Sequence, residues 1–437
     1  MYRRIILIAL LLSPAALAQP RCWTLDECVD YALEHNINIQ QNAIAVAQKE
    51  VALSTAEGRR LPGVAGSASQ NFSFGRGLTA DNTYANTNTT ATSLSLGAEM
   101  PVFQGFDIRN GIAQSKLDLA ASMSDLDKAK DDMRVAVAQA YVQILYDKEI
   151  LDVALRQVVI DSLQCERLAA MKANGKASAA DVSAQQATLS RSRLSATQAA
   201  NNLNLALLDM TQLLELPSPE GFDVAVPEVG DGLELLPNPE EIYADAVEVK
   251  PAVLSEQIRL ESAGKGIEMA KGGYLPSLSL SGGIGSNYYT SSGLAPATFS
   301  EQLRNNFSQY VGMSLNIPIF SRFSTRNNVR TAQLSYDSQQ LQLENVKKSL
   351  YKEIQQAYYN AVASQAKLIS SGEAAQSAEK SFELTKEKYE NGKAGITEYN
   401  ESKNRWLEAE SNLVQARWEC LFQTRLLDFY RGRDLDF

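Results

Sequence analysis

The 437-residue sequence predicts a mainly α fold with a small β part: long antiparallel, coiled-coil-like helical hairpins in two repeats, plus four β-strands. Three observations lead there. The first is a helical pattern that runs from Phe103 to Leu216 without a proline and breaks once, in the stretch MKANGKASAAD from Met171 to Asp181. Asn174-Gly175 suits the end of one helix, because Gly tolerates the left-handed conformation and Asn approaches it. The second is a recurrence of that tip as Tyr389-Glu-Asn-Gly392-Lys393-Ala394, with 392 − 175 = 217. The third is a pair of alternating apolar and small-polar segments in each half.

The offset of 217 is not confined to the tips. Pro101-Val102-Phe103 matches Pro318-Ile319-Phe320, Arg109-Asn110 matches Arg326-Asn327, and Gln139-Ala140-Tyr141 matches Gln356-Ala357-Tyr358. Four matches on one offset indicate an internal duplication. The expected organisation is a signal peptide at 1–18, a first repeat at 19–216, a linker at 217–238, a second repeat at 239–430 and a tail at 431–437.

The chain opens with Arg3-Arg4, an apolar run and Ala16-Leu17-Ala18, the pattern of a secretory signal cut after Ala18. Thr24 with Glu27 has the form of a capping box, and a helix is expected over Asp26–Glu57. Val64–Phe74 and Thr92–Val102 alternate as strands, with Leu94, Leu96, Ala98 and Met100 on one face. Arg76–Thr90 between them is polar and reads as a loop. The long helix follows, with Val135, Ala138, Val142 and Leu145 spaced as a coiled-coil seam. The return helix covers Ser178–Leu216. Pro217–Pro239 holds five prolines and marks a boundary, with a short strand at Phe222–Val226. The second half repeats the plan: a helix over Pro239–Lys271, strands at Ser277–Gly285 and Val311–Ile317, and a long helix over Ser324–Glu390.

At 1.5 Å per residue, each long helix is roughly 100 Å, about the sum of the two shorter ones in its repeat. Two short helices can therefore stack beside one long one, which implies a slender object. Four strands cannot close a barrel, and an open edge is not tolerated in lipid, so strands must be pooled among copies of the chain.

Composition narrows the chemistry. The formal net charge of −10 argues against a nucleic-acid partner. A single histidine, His35, and the absence of a P-loop, a Gly-x-Ser-x-Gly turn or a Cys/His cluster argue against an enzyme, a cofactor or a metal site. Cys22 and Cys28 either bridge or stand as loose thiols near a helix start. Cys165 and Cys420 fall in helical pattern as small buried side chains.

The ordered set resembles the TolC family of outer-membrane channel proteins. It consists of Leu61-Pro62, Tyr274-Leu275-Pro276, the Pro-Val-Phe and Pro-Ile-Phe strand ends, and the Gly175 and Gly392 tips followed by Asp181 and Glu398. The resemblance implies a homotrimer in the outer membrane, extending into the periplasm, with a 12-stranded barrel continuous with a helical one. It implies a periplasmic adaptor protein and an inner-membrane pump as partners, and a passive conduit for efflux or type I secretion. Two sites carry over. Tyr389, Glu398 and Glu401 hold the positions of the periplasmic aperture. Gly175, Lys176, Ala177, Gly392, Lys393 and Ala394 hold those of the adaptor-docking tips. The family's best-known member has an arginine where Ala394 stands, so a closing salt bridge is absent here or supplied elsewhere. The alternative is a structural tether spanning the periplasm without transport.

Overall fold

A computed structural model describes residues 21–78, 83–227, 235–292 and 297–435. The expected signal peptide, residues 228–234 of the linker and the last two residues of the tail lie outside the described residues.

The duplication is visible in the helix lengths. Helix α1 (Leu25–His35) and α5 (Pro239–Val249) have 11 residues each, and α2 (Ile37–Gly58) and α6 (Pro251–Gly272) have 22. The long helices α3 (Asp107–Ala173) and α8 (Ser324–Glu390) have 67, and the return helices α4 (Ala179–Leu213) and α9 (Ile396–Tyr430) have 35. From α3 onward the repeat offset is 217, as expected, but α2 and α6 are displaced by 251 − 37 = 214. The three-residue difference therefore falls between those helices and the long ones, where the strands lie.

Two expected helices are each broken once. The first breaks at Asn36, which has extended backbone angles (φ −64°, ψ 131°). Its side chain holds the break: Nδ2 donates to the Leu213 carbonyl at 3.0 Å, and Oδ1 accepts from the Asn38 amide at 2.9 Å. The second breaks at Lys250 (φ −69°, ψ 124°), because the residue before a proline is driven out of helical angles.

The described residues form two units. One comprises the described part of Met1–Asn42, Asp127–Lys250 and Lys348–Phe437. Within it, strands β1 (Arg21–Trp23) and β4 (Phe222–Val224) pair in parallel. A strand at 222 was expected, but its partner at 21–23 was not. The ribbon is clamped by α3. The buried Tyr141 donates its hydroxyl to the Ala225 carbonyl at 2.6 Å, and Lys148 donates to the Val224 carbonyl at 2.8 Å and pairs with Asp223. The expected seam is largely realised: Ala138, Val142 and Leu145 are buried, and Val135 is half-buried. Cys22 and Cys28 are both free thiols, so the bridge does not form. Burial and the nearby Glu27 charge push the Cys28 thiol up to about 12, which leaves it unreactive. His35 is structural, with its ring stacked on Tyr31 at 3.9 Å.

The other unit comprises Ala43–Leu126 and Pro251–Lys347. It holds one antiparallel sheet in the order β2-β3-β5-β6, from β2 (Gly63–Leu78), β3 (Tyr84–Gln104), β5 (Ser277–Ser291) and β6 (Ser308–Asn316). A short helix α7 (Phe299–Asn305), not foreseen, precedes β6. Residues 79–82 of the expected loop at Arg76–Thr90 lie outside the described residues, and the described part is mostly strand: Arg76 pairs with Asn86 and Ser73 with Thr89. Alternation disappears when both faces are polar, but the main-chain ladder continues, and Thr is a good strand former.

Register gathers apolar side chains on one face of the sheet. Leu96 pairs with Ile284, Met100 with Leu280, Leu280 with Met313 and Leu278 with Leu315. This apolar face is exposed, reaching 71% at Met313 and 84% at Val311. The opposite face carries Ser95, Gly97, Ser281 and Gly312, with the Ser67 and Ser95 hydroxyls 2.7 Å apart. Among the described residues, strands β2 and β6 each have one neighbour, so two edges are open. Among the described residues, no helix is long and apolar enough to cross a membrane.

Candidate functional site: the hairpin tips and the helices behind them

Both tips lie in the first unit and are built alike. Gly175 and Gly392 each have φ +71°, the left-handed region where a side chain is strained. Behind each glycine the carbonyls at the end of the long helix are satisfied by a Schellman pattern. Lys176 N–H donates to the Met171 carbonyl and Lys393 N–H to the Lys388 carbonyl, both at 2.8 Å. Asn174 and Asn391 donate their side-chain amides to the carbonyls four residues back, at 2.9 Å in both tips. Sequence therefore fixes the turns locally. Among the described residues, no atom lies within 4 Å of a Cβ added to either glycine, so the tips face open space.

The tips differ in how the next helix starts. Ser178 caps α4 with a full capping box to Asp181, and these hydrogen bonds hold the Asp181 carboxyl below its ordinary range. Gly395 at the matching place gives α9 no side-chain cap. Ala394, the position of the absent arginine, is half-buried.

Tyr389 lies one turn before its tip and ties the two hairpins together. Gln164 of α3 donates to its hydroxyl at 2.6 Å, the Arg167 guanidinium sits 5.4 Å from its ring centre, and Arg167 pairs with Glu390 at 3.6 Å. Its ring also packs on Tyr399, 5.0 Å between centres. Tyr399 packs on Phe382 at 5.4 Å, and Phe382 stacks on Trp406 at 5.1 Å. Burial raises the Tyr389 hydroxyl pKa, so it stays neutral and hydrogen-bonding across the ordinary pH range. Glu398 and Glu401 are not part of this lacing. Both are exposed on α9, and Glu401 has Arg405 at 3.6 Å one turn along.

Roughly three to four turns behind the tips is a cluster that the sequence does not announce. Lys403 of α9 and Asp161 of α3 form an ion pair in which neither side chain reaches solvent. Asp161 also accepts from Ser192 and, at 3.3 Å, from Gln185, both on α4; Gln185 in turn accepts from Asn400 at 3.2 Å. The cluster was legible as an interruption. Ala154, Asp161 and Leu168 are buried at heptad spacing, as are Gln185, Ser192 and Ala199. A charge on a buried seam fixes register, because only one alignment satisfies it. Among the described residues, no group of three or more His, Cys, Asp or Glu side chains is placed to hold a metal ion.

Comparison with known proteins agrees with this architecture. The family described as Outer membrane efflux protein matches residues 28–215 and 242–427, one match for each repeat. Outer membrane protein TolC of Escherichia coli (strain K12) is 25% identical over 358 residues, 79% of this chain and 71% of that protein. Outer membrane efflux protein BepC of Brucella suis is 20% identical over 417 residues, 94% of this chain and 85% of that protein. A crystal structure of a membrane protein from Pseudomonas aeruginosa superposes with a TM-score of 0.78 at 20% identity, covering 94% of this chain and 93% of that one. With the duplicated hairpins and the two-faced sheet in place, the chain belongs to the outer membrane efflux protein family, the TolC-type channels of the outer membrane.

Proposed function

We propose that three copies of this chain form one passive conduit, and that an adaptor protein and an inner-membrane pump deliver substrate to it. The observation that carries the reading is the sheet. One face is apolar and exposed, the other is mostly Ser and Gly with Glu99 and Tyr310 among them, and among the described residues both edge strands lack a second neighbour. Such a surface fits a wall between lipid and water, and unpaired main-chain groups in lipid cost several kcal/mol each. Three copies supply twelve strands, within the range of closed outer-membrane barrels.

Within that assembly, Tyr389, Glu398 and Glu401 line the periplasmic aperture. The exposure of both carboxylates leaves them available to a central opening. Gly175, Lys176, Ala177, Gly392, Lys393 and Ala394 receive the adaptor, and the open space around both glycines supports this. Where the family's arginine is replaced by Ala394, Arg167 supplies a cation to the same turn through Glu390 and the Tyr389 ring. Glutamates around a narrow axis favour cations.

Native mass spectrometry of the full chain in detergent tests the assembly. A trimer is expected. A stable monomer, or a dimer with an eight-stranded sheet, would overturn it.

A further inference from the structure

The second unit carries a basic groove beside the apolar sheet face that the conduit reading does not use. It has a volume of about 610 Å³ and lies between the start of α3 and the end of α6. Its walls include Phe106 and Arg109 from one side and Lys265, Glu268, Lys271 and Leu275 from the other. Three cations stand against one carboxylate. Glu268 is engaged by Lys265 at 3.2 Å, one turn away on the same helix. Arg109 and Lys271 supply the surplus of positive charge.

The groove is built rather than incidental. Its two sides meet backbone to backbone at Gly105 and Gly272, where a Cβ on Gly105 would lie 2.3 Å from the Gly272 carbonyl oxygen. No larger residue permits that approach. Phe106 is held at φ +66°, a conformation that costs a bulky residue free energy. In that pose its ring packs edge-on against Phe103 at 5.2 Å. Phe103 pairs across the strands with Leu278, on the apolar face of the sheet. The apolar face therefore continues through Phe103 and Phe106 into the groove, and the cations follow directly. The second repeat has the same placement of Phe and Arg, but Arg322 stands at the place of Gly105 and the glycine contact is not repeated. Phe323 is at φ +63°, its ring packs on Phe320 at 5.6 Å, and the Arg326 guanidinium sits 5.9 Å from the Phe323 ring centre. The pattern Phe-x-x-Phe-x-x-Arg occurs in both repeats, at 103–109 and 320–326.

We propose that this groove binds the phosphate of an anionic glycerophospholipid, with Arg109 and Lys271 on the phosphate and the acyl chains along Phe106, Leu275 and the apolar sheet face. The inference rests on that face meeting lipid. Aromatic residues mark the edges of the apolar band in outer-membrane barrels, and cations just beyond such a band meet headgroups. Arg suits a phosphodiester because its planar fork donates two parallel hydrogen bonds.

The test uses the full chain in nanodiscs containing equal mole fractions of phosphatidylglycerol and phosphatidylethanolamine. Lipids retained through mild delipidation are read by native mass spectrometry. Wild type is expected to retain phosphatidylglycerol in excess by roughly 5-fold or more, the effect of about one cation at a headgroup. The double variant Arg109→Gln, Lys271→Gln should lose that excess, Arg109→Lys should keep most of it, and inorganic phosphate at millimolar concentration should not displace the lipid. Equal retention of both lipids by wild type, or an undiminished excess in the double variant, would overturn the site. Displacement by inorganic phosphate would make it a phosphate site and overturn the lipid assignment. Bilayer insertion is scored in the same sample. Failure to insert counts against the outer-membrane reading, whereas insertion without lipid preference counts against the groove alone.

Discussion

Lys403 Nζ and Asp161 Oδ1 form an ion pair that joins α9 to α3, with both side chains wholly buried. Ser192 and Gln185 supply further hydrogen bonds to the same carboxylate. Removing one member of such a pair strands the other charge in the interior. Lys403→Met is therefore expected to destabilise the helical unit by about 3–5 kcal/mol. The double variant Asp161→Leu, Lys403→Met should recover most of that loss. Denaturant unfolding followed by helical circular dichroism checks both. A single variant no worse than the double would show that the pair contributes register without a buried-charge penalty.

The capping difference between the tips has a pH signature. Hydrogen bonds from Ser178 lower the Asp181 pKa. A carboxylate with a depressed folded value stabilises the fold fully above its unfolded value, about 3.9, and loses that contribution as pH falls through the folded value. Amide exchange over 178–182 is expected to accelerate on acidification below about pH 4, after correction for intrinsic rates. Exchange over 395–399, where Gly395 supplies no side-chain cap, should show no matching step. Ser178→Ala should raise exchange in the first segment roughly 5-fold at neutral pH, in line with a cap of about 1 kcal/mol. Equal responses at the two tips would contradict the capping account.

The docking assignment predicts a separation of assembly from export. Gly175→Trp and Gly392→Trp place a side chain at φ +71°, which costs about 1–2 kcal/mol of backbone strain but meets no neighbour within 4 Å. Trimer yield and membrane localisation should hold while export in cells carrying the cognate pump falls. Heat-modifiable trimer on a gel and drug or substrate resistance are read together. Normal export from the double variant would remove the tips from the docking surface.

What the sequence made legible was whatever depends on local chemistry. Asn174-Gly175 and Asn391-Gly392 announce their turns because only a few residues adopt positive φ, and the 217 offset carries the whole second repeat with it. The breaks at Asn36 and Lys250 were less visible. Pro251 marks the second, but Asn36 breaks its helix through a hydrogen bond to Leu213, 177 residues away. The strand ends between Ser73 and Thr90 were hidden because an apolar face stops before the hydrogen-bond ladder does. Asp161 and Lys403 escaped because a charge in a helical pattern is ordinarily assigned to solvent. Only their shared burial reveals them as partners. Tyr389 was assigned by its place before the tip, whereas its partners Gln164 and Arg167 come from a helix more than 200 residues earlier.

Glu398 and Glu401 are exposed on the same stretch of α9. Around a threefold axis they would gather six carboxylates. Replacing both with Ala is expected to lower the cation-to-anion permeability ratio and weaken block by multivalent cations. Reversal potentials in a salt gradient measure the first, and a cobalt(III) hexammine titration the second. Unchanged values in both would take these residues out of the pore.

The central claim, that the chain forms a passive channel, is tested most directly by single-channel recording of the purified full-length protein in planar lipid bilayers, without pump, adaptor or nucleotide. The account predicts discrete conductance steps that favour cations. Protein that inserts stably into the bilayer as a trimer yet carries no current, even in the Glu398→Ala, Glu401→Ala double variant, would contradict it and favour a tether.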